Sequence, residues 1–473
     1  MTTVLSIDQG TSGTKAIVVG PEGGIRGLAE QALHPRYLAD GGVEQDPEKL
    51  LASVLEAGRA AVASAGMKID IVTIANQGES VLAWDPATGR PLTPIIVWQD
   101  RRAAALCTRL EGEKPMLAQR TGLVLDPYFT APKMAWIRQN LSKDGVVTTT
   151  DTWLVHQLTG AFVTDVTTAS RSLLMELEGT SWASDLLALF GLVAEKQPRI
   201  LASDAIVGST AAFGSEALVG GLVVDQQAAL LAEHCFEAGD AKCTFGTGAF
   251  LLANNGTQAH RSRAGLAASV AWELRGQRHY CFDGQIYTAG SAVRWLRQLG
   301  FIKKAADLDQ VAASDSQGVL CVPALAGLAA PWWNPQARAS FSGLGLASGP
   351  GEMVRALLEG IACQVAALCA LVGQETGTPL RRLKVDGGLT QSTVLMQALA
   401  DIGQIEVEVF PSQHATPLGA VALARLAVDP ALTLAHAVVD WAPERAFSPR
   451  WSADQAQAFR TKWERTANGM MQV

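Results

Sequence analysis

The sequence predicts an α/β protein of two large domains, on three observations. The chain has 473 residues, more than a single hydrophobic core usually supports. Short β-branched runs such as "TVLSID", "KAIVVG", "IDIVTIAN" and "PIIVW" alternate with a stretch of helical spacing, "PEKLLASVLEAGRAAVASAG", and that alternation reads as α/β. The strand–turn–strand pattern at the start then returns in "AKCTFGTGAFLLAN", as in an internally duplicated architecture whose two turns face each other across a cleft. The boundary is placed at residue 240, giving domains 1–240 and 241–473, although no Pro/Gly/Ser-rich linker marks it.

The opening hairpin, "VLSIDQGTSGTKAIVV", carries more chemistry than a chain reversal needs, because such turns are normally closed by Asn-Gly or Asp-Gly. Asp8, Thr11, Ser12, Thr14 and Lys15 offer a carboxylate, three hydroxyls and a cation. Gly10 and Gly13 let the backbone come close to a ligand. That inventory suits a phosphate and its metal ion; an ordinary polar hairpin fits it equally well. Asp46-Pro47 then reads as the cap and first turn of a helix. In the second half, "QQAALLAEHCFEAG" reads as a helix leading into the second hairpin, whose Gly246-Thr247-Gly248 turn is again small and hydroxylated. In "LKVDGGLTQSTVLMQALAD" an apolar strand ends at Asp386-Gly387-Gly388, and Gln391-Ser392 opens a helix that buries Leu395, Met396, Leu399 and Ala400. A glycine pair before a helix N-terminus presents free N–H groups to a ligand such as an adenosine group, but it is also a common structural turn. The tail "RWSADQAQAFRTKWERTANGMMQV" reads as an amphipathic helix from near Ser452, packed on the second domain.

Composition narrows the partners. The 48% hydrophobic and 18% charged content is that of a globular chain, and the net charge of -7 argues against nucleic acid or an anionic membrane. A small molecule is the expected partner. The seven cysteines are scattered and never spaced as CxxC, so neither a disulfide framework nor a zinc site is expected, and a reducing cytoplasm fits best. No signal peptide is read at the N-terminus, and no uninterrupted apolar run approaches ~20 residues. There is no GxxxxGK[ST] loop and no GxGxxG after the first strand, so a phosphate must be held otherwise than in P-loop or dinucleotide enzymes.

Taken in order, "DQGTSGTKAIVV", "NQGES", "WDPATGRPLTPIIVWQDRR", "LDPYFTAPKMAWIRQN", "DTWLVHQLTG", "TDVTTASRSLL", "VVDQQAAL", "FGTGAF", "VPALAGLAAPWWNPQARASFSGL" and "VDGGLTQSTVLMQ" resemble the FGGY carbohydrate kinases, most of all their glycerol kinase-like branch. The resemblance runs over nearly the whole chain. Tyr128 to Asn140 fit the family's first signature, and Ala339 to Glu359 its second, except that Leu357 stands where a smaller or β-branched residue is usual.

The resemblance implies an actin-like fold: two ribonuclease H-type domains around a central catalytic cleft, with sugar or polyol held mainly by the first and ATP by the second. It implies a magnesium ion at Asp8, and a turn of Thr11, Ser12, Gly13 and Lys15 facing the transferred phosphate. Asp225 matches the catalytic base; on spacing alone it reads as an N-cap, and the helix dipole favours its ionised form. Gly246, Thr247 and Gly248 match a second phosphate turn. Gly387, Gly388 and Ser392 match the adenosine-binding segment, although many glycerol kinases carry Asn at the Ser392 position. Gly290, with Ala289 and Trp295, resembles a segment near the nucleotide, and a packed helix reads equally well for Trp295.

For the substrate, the resemblance implies contacts from Gln77, Gly78, Glu79, Trp98, Asp100, Tyr128, Asp225, Gln226 and Phe250. Glycerol kinases usually read Asn-Gln-Arg-Glu-Thr where this chain has "NQGES", so Gly78 replaces an arginine whose fork of donors fixes a small polyol. The expected activity is therefore ATP-dependent phosphorylation of a polyol or open-chain sugar. A tetritol or ketopentose is the alternative, in the space left at Gly78. A non-catalytic actin-like regulator is the remote one, opposed by the presence of both Asp8 and Asp225. Domain closure and a homo-oligomer, dimer or tetramer, are further implications of the family.

Overall fold

Two seven-stranded sheets organise the chain, each grown from one of the two hairpins. The computed structural model describes residues 2–469. In the first sheet Val4–Gly10 pairs antiparallel with Gly13–Val19, Asp8 opposite Lys15, leaving Thr11-Ser12 as a two-residue turn. Ile25–Ala32 extends the antiparallel side. On the other side Val4–Gly10 runs parallel to Ile71–Asn76, to which Ala217–Gly220 and Val223–Val224 add in parallel. All six residues of Ile71–Asn76 are buried, as befits a parallel strand covered on both faces.

The second sheet repeats the plan. Ala241–Phe245 pairs antiparallel with Ala249–Asn254, and parallel with Arg382–Asp386 on its other side. Gln277–Ile286 and Ala267–Leu274 extend the antiparallel side, and Glu406–Val409 the parallel one. Because parallel strands end at the same edge, the segments following Gly10, Asn76 and Val224 gather there, which is where open α/β sheets bind ligands.

Two helices form where their end signals stand. Pro47–Ala65 starts at Asp46, whose side chain accepts from Glu48 N and Lys49 N, and closes at Gly66 in the left-handed region. Its Leu50, Val54, Ala57 and Ala61 are buried in the cluster that covers the first sheet. Thr393–Gly403 is capped by Ser392 and buries Leu395, Met396, Leu399 and Ala400, as its spacing predicts. The tail forms the helix Ala453–Gly469, which anchors through buried Trp463 in the core of the second half; its last four residues lie outside the described part.

Two features go beyond the sequence reading. Pro350–Thr376 has a window of mean hydropathy 1.9 and is long and apolar enough to cross a membrane, yet 83% of that window is buried inside the protein; it is the core helix of the second half. The sequence shows no membrane-length apolar run there because Arg355 and Glu359 interrupt it, and the two form an ion pair one turn apart. Second, packing crosses residue 240. The helix Ala415–Val428 lies against Val4–Gly10 and Ile71–Asn76 of the first sheet and along the helix Asp225–Ala232. Val421 and Ala424 share a core with Val4, Ile17, Val19 and Ile71. Ser6 Oγ donates to Pro417 O at 2.8 Å. At Gly419 a Cβ would stand 1.7 Å from Ala228 O, so the two helices touch backbone to backbone.

Candidate active site

The gathered strand ends and the turn of the second hairpin enclose a cavity of about 230 Å³. Thr11, Ser12, Gln77, Glu79, Trp98, Tyr128, Asp225, Gln226, Gly246, Thr247 and Phe250 all line it. Trp98 organises one wall: its Nε1 donates to Thr11 Oγ1 at 2.8 Å, and its ring stands edge-on to Tyr128 at 5.5 Å and Phe250 at 5.8 Å. An aromatic wall facing hydroxyl and carboxylate groups suits a substrate with apolar C–H faces and polar edges.

Opposite lie the polar groups. Gln77 is held by a bond from its Nε2 to Gln45 Oε1 at 3.0 Å, while its own Oε1 is buried without a partner. Glu79 is 2% exposed and ion-paired with Arg171. Burial pushes the Glu79 carboxyl up to about 7, with Arg171 and Lys133 pulling the other way. Lys133 itself is fully buried beneath the wall, donating to the carbonyls of Pro127, Tyr128 and Phe129, and burial lowers it to about 7.

Asp225 opens the helix Asp225–Ala232 in its first turn. Val224 occupies the cap position, with no side-chain capping bond. The carboxylate accepts from Gln226 N at 2.7 Å and lines the cavity. Burial, with Asp8 adding to it, pushes Asp225 up to about 7, while Lys242 opposes. That value suits a group that takes a proton at neutral pH. Buried Lys242 donates to Gln226 Oε1 and to Thr244 Oγ1, so one ammonium links the start of this helix to the second hairpin.

A second cavity of about 260 Å³ opens beside the first, lined by Phe245, Gly246, Gly290, Val293, Arg294, Arg297, Gly388 and Leu389 among others. Gly246 stands in both walls. The turn is shaped by the start of the helix Gly290–Gln298: Gly290 N donates to Gly246 O, and Ala289 N and Ser291 N to Thr247 O, each at 3.0 Å. The two glycines of the turn are small for different reasons. A Cβ at Gly248 would lie 2.3 Å from Ile286 O, whereas at Gly246 nothing lies closer than 4.0 Å. Gly248 serves packing; Gly246 keeps a space open.

Several sequence-predicted residues lie off the cavity walls. Asp100 is 1% exposed and its carboxylate is taken by Arg102 and by Val43 N, so it braces the loop after Trp98. Lys15 Nζ sits 3.3 Å from Glu30 and 3.1 Å from Gln413 O. Gly13 packs against Gln31 O. Gly387, at φ 94, passes against Phe245, and the Ser392 hydroxyl is spent on Leu395 N and Asp309. Trp295 stacks on Phe341 at 6.4 Å, as a packed helix would have it. Gly78 has φ 67, and a Cβ there would meet Val224 Cγ1 at 3.3 Å. Gly78 itself is not among the residues lining the cavity, although Gln77, Glu79 and Val224 are.

Arg171, Arg294 and Arg297 line the cavities but received no role from the sequence. A signal for Arg171 exists: it is the one cation in the small, hydroxylated run "TDVTTASRSLL", and a buried arginine needs anionic partners.

Asp8 is half-buried at the edge of this site. Burial pushes it up to about 6, Lys15 opposing and Asp386 and Glu30 adding. Asp386 Oδ1 is buried without a partner, and burial raises that carboxyl too. Among the described residues no group of three or more His, Cys, Asp or Glu could hold a metal by itself. A magnesium ion needs only one or two carboxylates when substrate phosphates and water complete its shell, and it would relieve the repulsion gathered here. The residues fit such an ion.

A cavity walled by aromatic rings and lined by hydroxyl and carboxylate groups meets, at a glycine turn, a pocket rimmed by arginines, an arrangement that fits a phosphotransferase acting on a small sugar or polyol. Residues 3–232 match the N-terminal domain, and residues 241–428 the C-terminal domain, of the FGGY family of carbohydrate kinases. The chain belongs to that family. It is 40% identical to the glycerol kinase of Bordetella parapertussis, over 97% of this chain and 95% of that one. It is 38% identical to the glycerol kinase of Aromatoleum aromaticum, over 98% of each. A crystal structure of Plasmodium falciparum glycerol kinase with ADP matches with a TM-score of 0.90 at 30% identity, covering 99% of this chain and 98% of that one. A ligand-bound xylulose kinase from Lactobacillus acidophilus reaches the same TM-score at 20% identity, covering 100% and 99%, a likeness of fold alone.

Proposed function

We propose that this chain transfers the γ-phosphoryl group of ATP to a hydroxyl of glycerol or a similar short polyol. The observation that supports the reading is Gly246, which stands in the wall of both cavities, so that a hydroxyl bound in one and a phosphate bound in the other would meet at the same turn. The polyol lies against Trp98 and Phe250, with its hydroxyls met by Glu79, Gln77, Tyr128 and Gln226. The nucleotide lies over Gly246, Gly290 and Gly388, its phosphates between the Thr11-Ser12 turn and the Gly246-Thr247 turn. The polyol oxygen attacks the γ-phosphorus, the bond to the β-phosphate oxygen breaks, ADP leaves, and the hydroxyl proton passes to Asp225. Positioning and charge neutralisation do most of the work in such transfers. Asp8 would hold magnesium, which supplies the neutralising charge when bound. The seven free, buried thiols support a reducing compartment, the cytoplasm.

A four- or five-carbon substrate is a second reading, favoured by one observation. A further cavity of about 210 Å³ shares Trp98, Gln99 and Tyr128 with the first and is edged by Arg101 and Tyr287, so a longer chain has somewhere to go. A coupled ADP-release assay over polyols and ketoses, with and without magnesium, tests both. Highest kcat/KM on glycerol, and none without the metal, is the expected result. Preference for a tetritol or ketopentose selects the second reading, and silence across the panel removes both.

A further inference from the structure

Arg171 follows the short helix Val166–Ser170 and is 3% exposed. Its Nε pairs with the Glu79 carboxylate. Its Nη2 lies 2.7 Å from Asp283 Oδ2 and donates to the Tyr128 hydroxyl at 3.3 Å, and Nη1 reaches Ser269 Oγ at 3.5 Å. Glu79 and Tyr128 are walls of the polyol cavity. Ser269 and Asp283 stand on Ala267–Leu274 and Gln277–Ile286, neighbouring strands of the second sheet. One planar fork thus serves acceptors from both halves of the molecule at once, which a lysine ammonium cannot do with the same geometry.

We propose that Arg171 is the positioning residue of the polyol site: it holds the Glu79 carboxylate and the Tyr128 hydroxyl in the cavity wall, and anchors both to the second sheet through Asp283. The inference rests on the polyol reading above. Three properties make the arrangement demanding. Asp283 Oδ1 is buried without a partner, so Oδ2 alone makes the anchor. Gln285 Nε2, at 2.9 Å, is the only other recorded donor to Asp283 Oδ2 among the described residues. Glu79 sits at φ 43, a sparsely populated conformation for a residue with a side chain. Removing the guanidinium leaves two buried carboxylates facing each other, and the wall loses its shape before any substrate arrives.

R171K is the primary variant, because it keeps the charge while losing the fork. Its substrate is whichever member of the polyol and ketose panel the wild type phosphorylates best. The expected result is a cooperative thermal melt, a rise in the KM for that substrate on the order of 10- to 10²-fold, and a nucleotide KM changed by less than about 3-fold. In an E79Q background R171K adds little further loss, since coupled residues are non-additive. D283A is the second variant; it keeps the Arg171–Glu79 pair and removes the acceptor that ties Arg171 to the second sheet, and it raises the same KM several-fold without touching the nucleotide KM. Unchanged substrate KM in either variant overturns the proposal, as do equal losses toward both substrates. A wild type inactive on the whole panel removes the proposed function and this inference together, whereas an active wild type with an unaffected R171K removes the inference alone.

Discussion

The two hairpins have the same topology and different chemistry at their tips. Each pairs antiparallel on one side and parallel on the other. The first ends in Thr11-Ser12, side-chain hydroxyls with Asp8 behind them; the second ends in Gly246-Thr247-Gly248, where the backbone does most of the work. The strands beside them differ likewise. Ile71–Asn76 runs into Gln77 and Glu79, which line the first cavity, proposed for the polyol, and Arg382–Asp386 runs into Gly388, which lines the second, proposed for the nucleotide. One scaffold used twice thus makes two sites by changing a few residues after the strand ends, where side chains are free of ladder pairing.

The largest expected effect comes from the first half. D225N removes the proposed proton acceptor and is expected to lower kcat by ~10²–10⁴-fold, while thermal shift by ADP persists. Because a carboxylate must be ionised to accept a proton, and burial raises Asp225 to about 7, wild-type kcat/KM rises with pH through about 7 and levels above it. A D225N profile that keeps that rising limb assigns it to another group.

The second half gives a paired test. A Cβ at Gly248 collides with Ile286 O, and at Gly246 it meets open space between the cavities. G248A should therefore lower stability, by about 1–3 kcal/mol for an overpacked site, and G246A should leave the melting temperature unchanged while lowering kcat/KM by ~10-fold or more through misplaced phosphates. Identical behaviour of the two variants, in melts and in rates, erases the distinction drawn between them.

G78R is the smallest. The left-handed backbone at residue 78 costs about 1 kcal/mol for a residue with a Cβ. Arg171 already pairs with Glu79. A lowered melting temperature with less than about 3-fold change in polyol KM is expected, and a large gain on glycerol would show that the site does lack a guanidinium.

What the sequence made legible is local. The opening turn, Gln77 to Glu79 and Asp225 each follow a β-branched run, so their place at strand ends could be read from pattern, and the motifs around them carried the family. Lys15, Asp100 and Ser392 have the right residue types but spend their polar atoms on the scaffold, a matter of orientation that spacing does not encode. The partners of Arg171, though not its oddity as a lone cation, were beyond local reading because Glu79 lies 92 residues away and Ser269 lies 98. The membrane-length helix was hidden by Arg355 and Glu359, whose charges cancel only once the turn is wound.

The helix Ala415–Val428 comes from the far end of the chain yet dries the back of the sheet built by the first twenty residues. Duplication in sequence is thus not modularity in space. A fragment stopped at residue 240 leaves Val4, Ile17, Val19 and Ile71 wet on that face, so the front half of this enzyme owes part of its core to the back half.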